Sequence, residues 1–438
     1  MRAEHAARQV KQMSLYRSYG SVERVIGLMV ESRGPKTNVG DICYIYGVGG
    51  DTSTAAEVVG FRQEYVLLMP LESLKNISPG CTVEATGKPL KIKAGAGLIG
   101  RVLNGMGEPI DHQELPEGLV SVSSEAAPPA PLDRPRITNV MPTGVRVIDS
   151  LLTMGEGQRI GIFAGSGVGK STLLSMITRY TEAEINVIAL IGERGREVRD
   201  FIERDLGEEG MARSVLIVAT SDQPASMRIQ GAYTATAIAE YFRSKGKKVN
   251  FMMDSITRFA MARREIGLAI GEPPTTKGYP PSVFALLPGL LERTGTSNEG
   301  SITAFYTVLV DGDDMNEPIA DAVRGILDGH FVLERSLANK NHFPAIDVLQ
   351  SVSRVMSEIT DEDHQREALK IKSWLAAYRE AEDLIRIGAY RKGSSRETDE
   401  ALERLPAIEA LIQQRSMEAS TMEQTLQKLQ NVTEKGVS

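Results

Sequence analysis

The stretch RIGIFAGSGVGKSTLL, residues 159–174, consists of an apolar strand-like run, a glycine-rich turn and a helical run. In this order, Gly165, Gly167 and Gly169 allow backbone N–H groups to converge on phosphate oxygens. Lys170 supplies a cation toward the β- and γ-phosphates, and the Ser171 hydroxyl can ligate magnesium. The stretch therefore predicts a nucleotide-binding turn, with contacts from Gly165, Ser166, Gly167, Val168, Gly169, Lys170, Ser171 and Thr172.

The turn departs from the pattern G-x-x-x-x-G-K-[ST] at one position, because Ala164 stands where the first glycine is expected. An alanine restricts the backbone slightly but leaves the phosphate-facing part of the turn intact. A glycine-rich turn with only a structural role is the alternative. The strand before the turn and the helix after it argue against that alternative, since the motif requires both.

Around this turn, from Gly144 onward, strand-like apolar runs alternate with amphipathic helical segments. The runs are RIGIF, NVIALI, SVLIVA, VNFMMD and ITAFYTVLV. Short apolar strands separated by helices are typical of a mostly parallel sheet that is covered on both faces. The predicted fold class of this region is therefore α/β.

The chain of 438 residues predicts several domains, because single cores rarely grow past about 250–300 residues. Ahead of the core, the runs RVIGLMVES, DICYIY, AAEVVGF and EYVLLMP are separated by turn residues, which predicts a small β-barrel. Beyond Asp361 the sequence predicts polar helices and a partly disordered tail, STMEQTLQKLQNVTEKGVS. The predicted boundaries are 1–20 for a helix, 21–93 for the barrel, 94–360 for the core and 361–438 for the helical domain.

The first twenty residues predict a short, basic, amphipathic helix. Apolar residues recur at helical spacing, at Ala3, Ala6, Ala7, Val10 and Met13. Two interpretations remain open: a helix that docks on a partner, or a frayed terminus packed on its own domain.

Composition excludes several classes of protein. The 50 Lys and Arg against 57 Asp and Glu give a net charge of −7, so the chain lacks the basic field of a general nucleic-acid binder. Two cysteines, Cys43 and Cys81, make a disulfide framework improbable and fit a reducing compartment. The five histidines show no zinc-ligand spacing. With no signal peptide and no apolar run of about 18–20 residues, we expect a cytoplasmic protein.

Two acidic residues follow apolar strands of the core. Asp254 ends the run VNFMMD, which we expect to neighbour the phosphate turn, and such an aspartate typically holds the magnesium shell. Glu193 follows the run NVIALI and is surrounded by arginines, so it is a candidate base for an attacking water. The alternatives are a solvated strand-end carboxylate for Asp254 and a solvated salt bridge for Glu193.

Several segments resemble one family. GERGREVRD, DSITRFAMARREIG and TVLVDGDDMNEPIAD, together with PAIDVLQSVSR from Pro344 onward, are similar to the α/β-type rotary and export ATPases. GEPPTTKGYPPSVFALLPGLLERTG and SDQPASMRIQGAYTATAIAEYFR resemble the type III export branch, and its flagellar members most. The resemblance covers nearly the whole chain. It implies a RecA-like P-loop ATPase core, an N-terminal β-barrel and a C-terminal helical domain.

The resemblance also implies roles for the residues of the phosphate site. Lys170 and Ser171 match the positions that hold phosphate and magnesium, with ATP and Mg²⁺ as the implied ligands. Glu193 matches the residue that activates water. Asp254 matches the residue of the magnesium shell, and Arg194 matches an arginine that contacts phosphate.

Three further residues acquire implied roles. Arg354 matches the arginine finger that completes the site of a neighbouring subunit. Phe343 stands where relatives carry an aromatic shelf for adenine, and Tyr390 is a candidate for a second shelf. Ordinary packing is the alternative for both aromatic residues.

The resemblance implies a motor subunit of a homohexameric ring that delivers export substrates to a membrane gate. The implied partners are further copies of the chain, a regulator subunit at the N-terminal helix, the gate proteins, export chaperones with their substrates, and a stalk-like coiled coil. It implies a place at the inner face of the membrane. An injectisome ATPase, a catalytic subunit of a rotary ATP synthase, an RNA-driven helicase and a nucleotide-binding module without turnover are the alternatives. The charge balance disfavours the helicase, and we expect no nucleic-acid partner.

Overall fold

The computed structural model describes residues 17–434 except 50, 51, 75, 311 and 313. The predicted amphipathic helix therefore lies outside the described residues up to residue 16. The first strand begins at Ser18, so the barrel starts three residues before the predicted boundary at 21. The partner-docking interpretation of the helix stays a prediction.

In the described chain, six antiparallel strands close into an N-terminal barrel, as predicted. The run RVIGLMVES, which the sequence presents as continuous, is divided between two strands by a turn at Gly27, whose φ is +58°. The barrel order is β1-β2-β5-β4-β3-β6. Its strands are β1 Ser18–Ile26, β2 Met29–Arg33, β3 Asp41–Tyr46, β4 Ser53–Arg62, β5 Tyr65–Pro70 and β6 Thr82–Pro89.

The core is a mainly parallel sheet, and all five predicted core strands are present in it. Along its main path the order is β17-β16-β10-β15-β13-β11-β12-β8, with β14 paired to β15 and with β17 antiparallel to β16. A separate pair is formed by β7 Lys91–Ala94 and β9 Val120–Ser123. The sheet strands are β8 Val102–Asn104, β10 Arg159–Ala164, β11 Ile185–Ile191, β12 Ser214–Ala219, β13 Lys248–Asp254, β14 Gly295–Thr296, β15 Ser301–Leu309, β16 Gly329–Leu333 and β17 Ile346–Ser353.

Helices cover both faces of the sheet and bury its apolar side chains. One face packs against side chains such as Ile238 and Phe259, and the other against Ile148 and Leu173. The core helices are α1 Arg146–Leu151, α2 Lys170–Tyr180, α3 Gly195–Asp200, α4 Gly207–Met211, α5 Ala225–Arg243, α6 Ile256–Ile270, α7 Pro281–Leu291, α8 Pro318–Ile326, α9 Arg335–Asn339 and α10 Met356–Ile359. Short 3-10 turns lie at Ala96–Leu98, Pro131–Asp133 and Thr276–Gly278, and a π-helical turn at Phe201–Leu206.

The C-terminal region is helical, as predicted. Its helices are α11 Glu362–Arg386, α12 Arg396–Ile412 and α13 Met422–Glu434. The prediction of a partly disordered tail is wrong for most of its length, because Leu429 and Val432 of α13 are buried in the same apolar core as α1 and α2. Residues 435–438 lie outside the described part. Among the described residues, no helix is both long enough and apolar enough to span a bilayer.

Candidate nucleotide site

The predicted phosphate turn connects β10 to α2 at the carboxyl edge of the sheet. Ala164 is the last residue of β10, where extended backbone suits an alanine as well as a glycine. Gly167 and Gly169 have φ of +77° and +91°, conformations that side chains with a Cβ rarely adopt. Gly169 caps α2, so Lys170 is the first helical residue and the helix N-terminus faces the turn. This arrangement is suited to an anion.

Three predicted side chains meet at this edge. The Nζ of Lys170 lies 2.5 Å from Oδ1 of Asp254 and 3.6 Å from Oε1 of Glu193. The parallel strands β10, β11 and β13 all end here, which is why residues far apart in sequence converge. As expected, the end of β13 lies beside the phosphate turn, although β13 and β10 are separated in the sheet by β15. The side chain of Asp254 reaches Lys170 across that strand.

Burial and charge shift the proton equilibria of this cluster. Burial, with repulsion from the Asp254 carboxylate, raises the pKa of Glu193 to about 7, and attraction to Lys170 opposes the rise. Burial by itself lowers the pKa of Lys170. The two carboxylates outweigh burial and raise the pKa of Lys170 above its ordinary value. Lys170 therefore stays a cation at neutral pH, while Glu193 exchanges a proton near neutrality.

A cavity of about 560 Å³ opens beside the phosphate turn and is lined by Lys170. Ser166, Gly167, Ser171 and Thr172 have exposed faces there, so backbone and hydroxyl groups of the turn reach the cavity. Glu193 lines the same cavity. The described residues contain no group of three or more His, Cys, Asp or Glu side chains that could hold a metal by itself.

Two arginines line the cavity. The side chain of Arg194 is 82% exposed and pairs with Glu197 at 3.3 Å, so it is not fixed against Lys170. Sequence reasoning missed Arg258, which lies in the first turn of α6, four residues after Asp254. Its buried Nε has no hydrogen-bond partner in the described chain. An anion in the cavity is a suitable partner for an arginine side chain.

A second cavity of about 880 Å³ shares Gly169 and Thr172 with the first. Phe343 lines it, 40% exposed, and its ring packs beside Gly169, where an added Cβ would lie 3.3 Å from two ring carbons. The segment 413–418, which sequence reasoning also missed, lines the same cavity next to Phe343, since the backbone N–H of Gln414 donates to the carbonyl of Phe343 at 2.8 Å. The size and position of this cavity fit a base attached to a nucleotide whose phosphates lie on the turn.

The segment 413–418 is held in place by buried hydrogen bonds to α1. Gln414 accepts from the backbone N–H of Arg146 at 2.7 Å and donates to the carbonyl of Gly144 at 2.8 Å. The guanidinium of Arg146 contacts the carbonyl of Gln413 and the carboxylate of Glu418. The part of the cavity wall formed by segment 413–418 is therefore fixed to the core and not to the helical domain alone.

Tyr390 is not brought to this site, so its candidacy as a second aromatic shelf is not supported. It lies between α11 and α12, where its hydroxyl donates to Oδ1 of Asp399 at 2.9 Å and contacts the carbonyl of Ser395 at 3.1 Å. These bonds stabilise the turn between the two helices. Of the two candidate shelves, only Phe343 borders the phosphate turn.

Arg354 lies at the opposite edge of the sheet from Lys170. It follows β17, and its backbone N–H bonds to the carbonyl of Asp328, whose own N–H bonds to the carbonyl of Arg159. Arg159 begins β10 and Ala164 ends it, so Arg354 lies about 16 Å from the phosphate turn along the strand direction. Its guanidinium donates to the carbonyl of Arg324 at 3.3 Å, and it has no carboxylate partner within the described residues.

Comparison with protein families identifies three segments of the chain. Residues 22–87 match the beta-barrel domain and residues 144–353 the nucleotide-binding domain of the ATP synthase alpha/beta family. Residues 360–431 match the C-terminal domain of the type III secretion ATPase EscN. These matches confirm the predicted fold class.

Individual relatives match over nearly the full chain. The flagellum-specific ATP synthase of Bacillus subtilis (strain 168) is 61% identical over 425 residues, covering 97% of each chain. The type 3 secretion system ATPase of Xanthomonas euvesicatoria is 50% identical over 427 residues, covering 98% of this chain and 97% of the relative.

A solved structure is similar over the same extent. The assembled ATPase EscN from the enteropathogenic E. coli type III secretion system has a TM-score of 0.89 and 46% identity, covering 94% of this chain and 99% of EscN. With the relatives above, it confirms the predicted ATPase activity. The chain belongs to the α/β family of ATP synthase subunits, in the branch that comprises the flagellar and type III secretion ATPases.

Proposed function

We propose that the chain is the ATP-hydrolysing subunit of a ring of six identical copies that drives protein export through a flagellar type III apparatus. The observation that carries hydrolysis is that Lys170 and Glu193 line one cavity and that Lys170 also contacts the buried carboxylate of Asp254 at 2.5 Å. The 61% identity to the Bacillus subtilis relative supports the flagellar branch.

Nucleotide binding uses the phosphate turn and Lys170. Backbone N–H groups of the turn and the N-terminus of α2 bind the phosphates, and Lys170 neutralises their charge. The ammonium group of Lys170 is bound to Asp254 and contacts Glu193. Phosphate oxygens therefore compete with the two carboxylates for the same ammonium group. Phe343 stacks on the adenine, and segment 413–418 forms another part of the wall of the base site.

Hydrolysis requires a water that attacks the γ-phosphorus in line with the bond to the β–γ bridging oxygen. Glu193 accepts the proton of that water, and the bond to the bridging oxygen breaks to leave ADP and phosphate. A pKa of about 7 suits a general base at neutral pH. Arg194 and Arg258 line the cavity and stabilise the charge on the phosphate oxygens.

The residues present fit a magnesium ion that enters with the nucleotide. Ser171 has an exposed hydroxyl at the start of α2, and Asp254 has a carboxylate beside Lys170. Bound here, magnesium would neutralise charge on the phosphate oxygens. Because the described residues hold no larger ligand cluster, its remaining ligands would be phosphate and water oxygens, as magnesium prefers.

Arg354 acts on the site of a neighbouring copy. It is exposed and follows β17, an outermost strand of the sheet. It lies at the end of the sheet where β10 begins, whereas the phosphate turn of its own chain follows the other end of β10, so it cannot reach that turn. A cation without a carboxylate partner at an exposed edge is free to stabilise charge in another subunit. The assembled state of the EscN relative supports a ring.

The remaining partners follow from the export role. A regulator subunit binds the helix of residues 1–20, a coiled-coil stalk enters the ring, and chaperones with their substrates are passed to gate proteins in the membrane. The EscN relative is known in complex with its central stalk EscO, which supports the stalk. We place the ring in the cytoplasm, at the inner face of the membrane.

The test of this function separates binding from turnover. Lys170→Ala should abolish binding of a fluorescent ATP analogue and hydrolysis, because the phosphates lose their fixed cation. Glu193→Gln should keep binding and lose most hydrolysis, because an amide is not a base. The matched control is Lys247→Ala, whose ammonium pairs with Glu184 before β13 begins. Unchanged binding in Lys170→Ala would overturn the assignment of the site.

An injectisome is the second candidate, favoured by the 50% identity to the Xanthomonas relative. The two roles differ in partners and not in chemistry. A pull-down of the tagged chain from motile cells, scored for flagellar against injectisome gate proteins and chaperones, decides between them. Recovery of injectisome components alone would contradict the flagellar assignment.

A further inference from the structure

Thr307 is a buried polar residue that directly contacts the catalytic cluster. It lies on β15, between the strand of the phosphate turn and the strand of Asp254, and its side chain is fully buried. Its Oγ1 lies 2.7 Å from Oδ1 of Asp254 and 3.3 Å from the carbonyl of Met253. A hydroxyl has one proton to donate, and the carboxylate is the closer and stronger acceptor.

The two oxygens of Asp254 are held differently. Oδ1 accepts from Thr307 at 2.7 Å and from Lys170 at 2.5 Å, while Oδ2 has no donor within the described chain. A carboxylate bonded through one oxygen has its orientation fixed and its other oxygen available. Two donors, Lys170 and Thr307, fix that orientation.

Nucleotide binding is expected to affect the hydrogen bonds from these two donors differently. Under the proposed function, phosphate oxygens compete with Asp254 for the ammonium group of Lys170, whereas the Thr307 hydroxyl, near the carboxyl end of β15, has no such competitor. After that exchange, the Thr307 hydroxyl is the donor that keeps Oδ1 occupied and leaves Oδ2 available. Without it, a buried carboxylate would lose its orientation when its cation leaves.

We propose that Thr307 is a positioning residue that holds the Asp254 carboxylate ready for the magnesium ion of the nucleotide. The proposal rests on the proposed function, since it assumes a nucleotide on the phosphate turn. A purely structural alternative is that a β-branched side chain only fills space at this point of the sheet. Valine has the same shape without the hydroxyl, so the two explanations give different results.

The experiment measures the affinity of fluorescent ADP for the full chain with excess Mg²⁺ and with EDTA, in Thr307→Val and Thr307→Ser. We expect Thr307→Val to lose about tenfold or more of the affinity gained from Mg²⁺, the scale of a hydrogen bond to a charged group, and to keep its affinity in EDTA. Thr307→Ser keeps the hydroxyl and should keep the gain. The Mg²⁺ concentration for half-maximal hydrolysis should rise in the valine variant only.

The proposal is overturned if folded Thr307→Val has the wild-type ratio of the two affinities, or if Thr307→Ser loses the gain as valine does. Thermal unfolding checks that each variant is folded, and if valine is not tolerated, Thr307→Ala removes the same hydroxyl and is subject to the same two criteria. Lys170→Ala in the same assay distinguishes a failure of the proposed nucleotide site from a failure of the role proposed for Thr307. Full binding by that variant refutes the nucleotide site, whereas its loss together with an unchanged Thr307→Val ratio refutes only the role of Thr307.

Discussion

Two cations at opposite ends of the strands of the central sheet, the carboxyl edge and the amino edge, differ in burial and in their partners. At the carboxyl edge, Lys170 is largely buried and lies against Asp254 and Glu193 of its own chain. At the amino edge, Arg354 is exposed, and within the described residues it has only a backbone carbonyl as acceptor. Arg159, at the same edge, shows the usual alternative, because it is paired with both Asp328 and Glu292.

The difference shows which part of the catalytic machinery one chain can assemble alone. A buried cation must have its charge compensated inside the fold, so Lys170 has its partners before any nucleotide arrives. An exposed cation has no such requirement, and Arg354 can remain unpaired until another molecule supplies the charge. The charges of Lys170, Asp254 and Glu193 are therefore balanced within the chain, while the proposed role of Arg354 requires charge that another copy presents.

The largest expected effect follows from removing the unpaired cation. Arg354→Ala should lower ATP hydrolysis by about three to five orders of magnitude, the range for loss of a trans-acting arginine. Folding and nucleotide binding should be unchanged, because the guanidinium makes one long hydrogen bond in its own chain. The measurements are steady-state hydrolysis, fluorescent-nucleotide affinity and thermal unfolding. Arg324→Ala, on the same surface but ion-paired with Asp321, is the matched control.

Mixed rings test whether the arginine acts between copies. Glu193→Gln still offers its Arg354, and Arg354→Ala still offers an intact Glu193. Co-assembly of the two inactive variants should therefore restore part of the activity, because some interfaces contain both groups. A mixture that forms rings and stays as inactive as its components would show that Arg354 acts within its own chain.

The functional residues at the carboxyl edge of the sheet are well predicted from the sequence, because each of them stands close to the strand that positions it. The phosphate turn, and the acids that follow β11 and β13, sit directly after strands whose apolar runs are continuous, since both faces of the sheet are covered. The edge strand β17 has a partly exposed, mixed sequence and was not predicted as a strand. Local pattern therefore suffices for the five longer buried strands, although it missed β16, a short strand that is also mostly buried.

The parts that sequence reasoning missed depend on contacts between distant segments. In the sequence, Thr307 is not distinguished from any other β-forming residue. Its hydrogen bond to Asp254 exists only because β15 lies between β10 and β13. The wall formed by segment 413–418 comes from the C-terminal domain, which Arg146 and Gln414 fasten to the core. The sequence does hint at Arg258, because this residue comes shortly after Asp254. Nothing in the sequence pattern showed that its side chain would lack a hydrogen-bond partner.

The next largest effect concerns pH. Burial and Asp254 raise the pKa of Glu193 to about 7, so a base at this position is about one-tenth ionised at pH 6 and one-hundredth at pH 5. We expect kcat/KM for ATP to fall about tenfold from its plateau at pH 6 and to be level above pH 8. Lys170 does not contribute, because its pKa is raised and it stays charged throughout.

The pH profile is measured on the assembled protein at a fixed concentration of the magnesium–ATP complex. Glu193→Gln supplies the control, since its residual rate should lose the inflection near pH 7. A wild-type profile that is flat between pH 6 and pH 8 would contradict the assignment of Glu193 as the base. Arg354→Ala should keep the inflection at a lower rate, which separates the roles of the two edges.

The smallest expected effect distinguishes the two aromatic residues. Phe343 borders the phosphate turn and is 40% exposed, so stacking on adenine is expected at the lower end of its usual range, about 1–1.5 kcal/mol. Phe343→Ala should therefore raise the dissociation constant for ATP by about fivefold to twelvefold. Phe343→Tyr keeps a stacking ring and should keep the affinity. Tyr390→Phe removes only the bonds to Asp399 and Ser395 between α11 and α12, so nucleotide affinity should not change.

Equilibrium titration with a fluorescent ATP analogue measures all three variants, and competition with inorganic triphosphate shows whether the lost contact is to the base. If Phe343→Ala weakens ATP and triphosphate equally, the ring supports the turn at Gly169 and does not bind adenine.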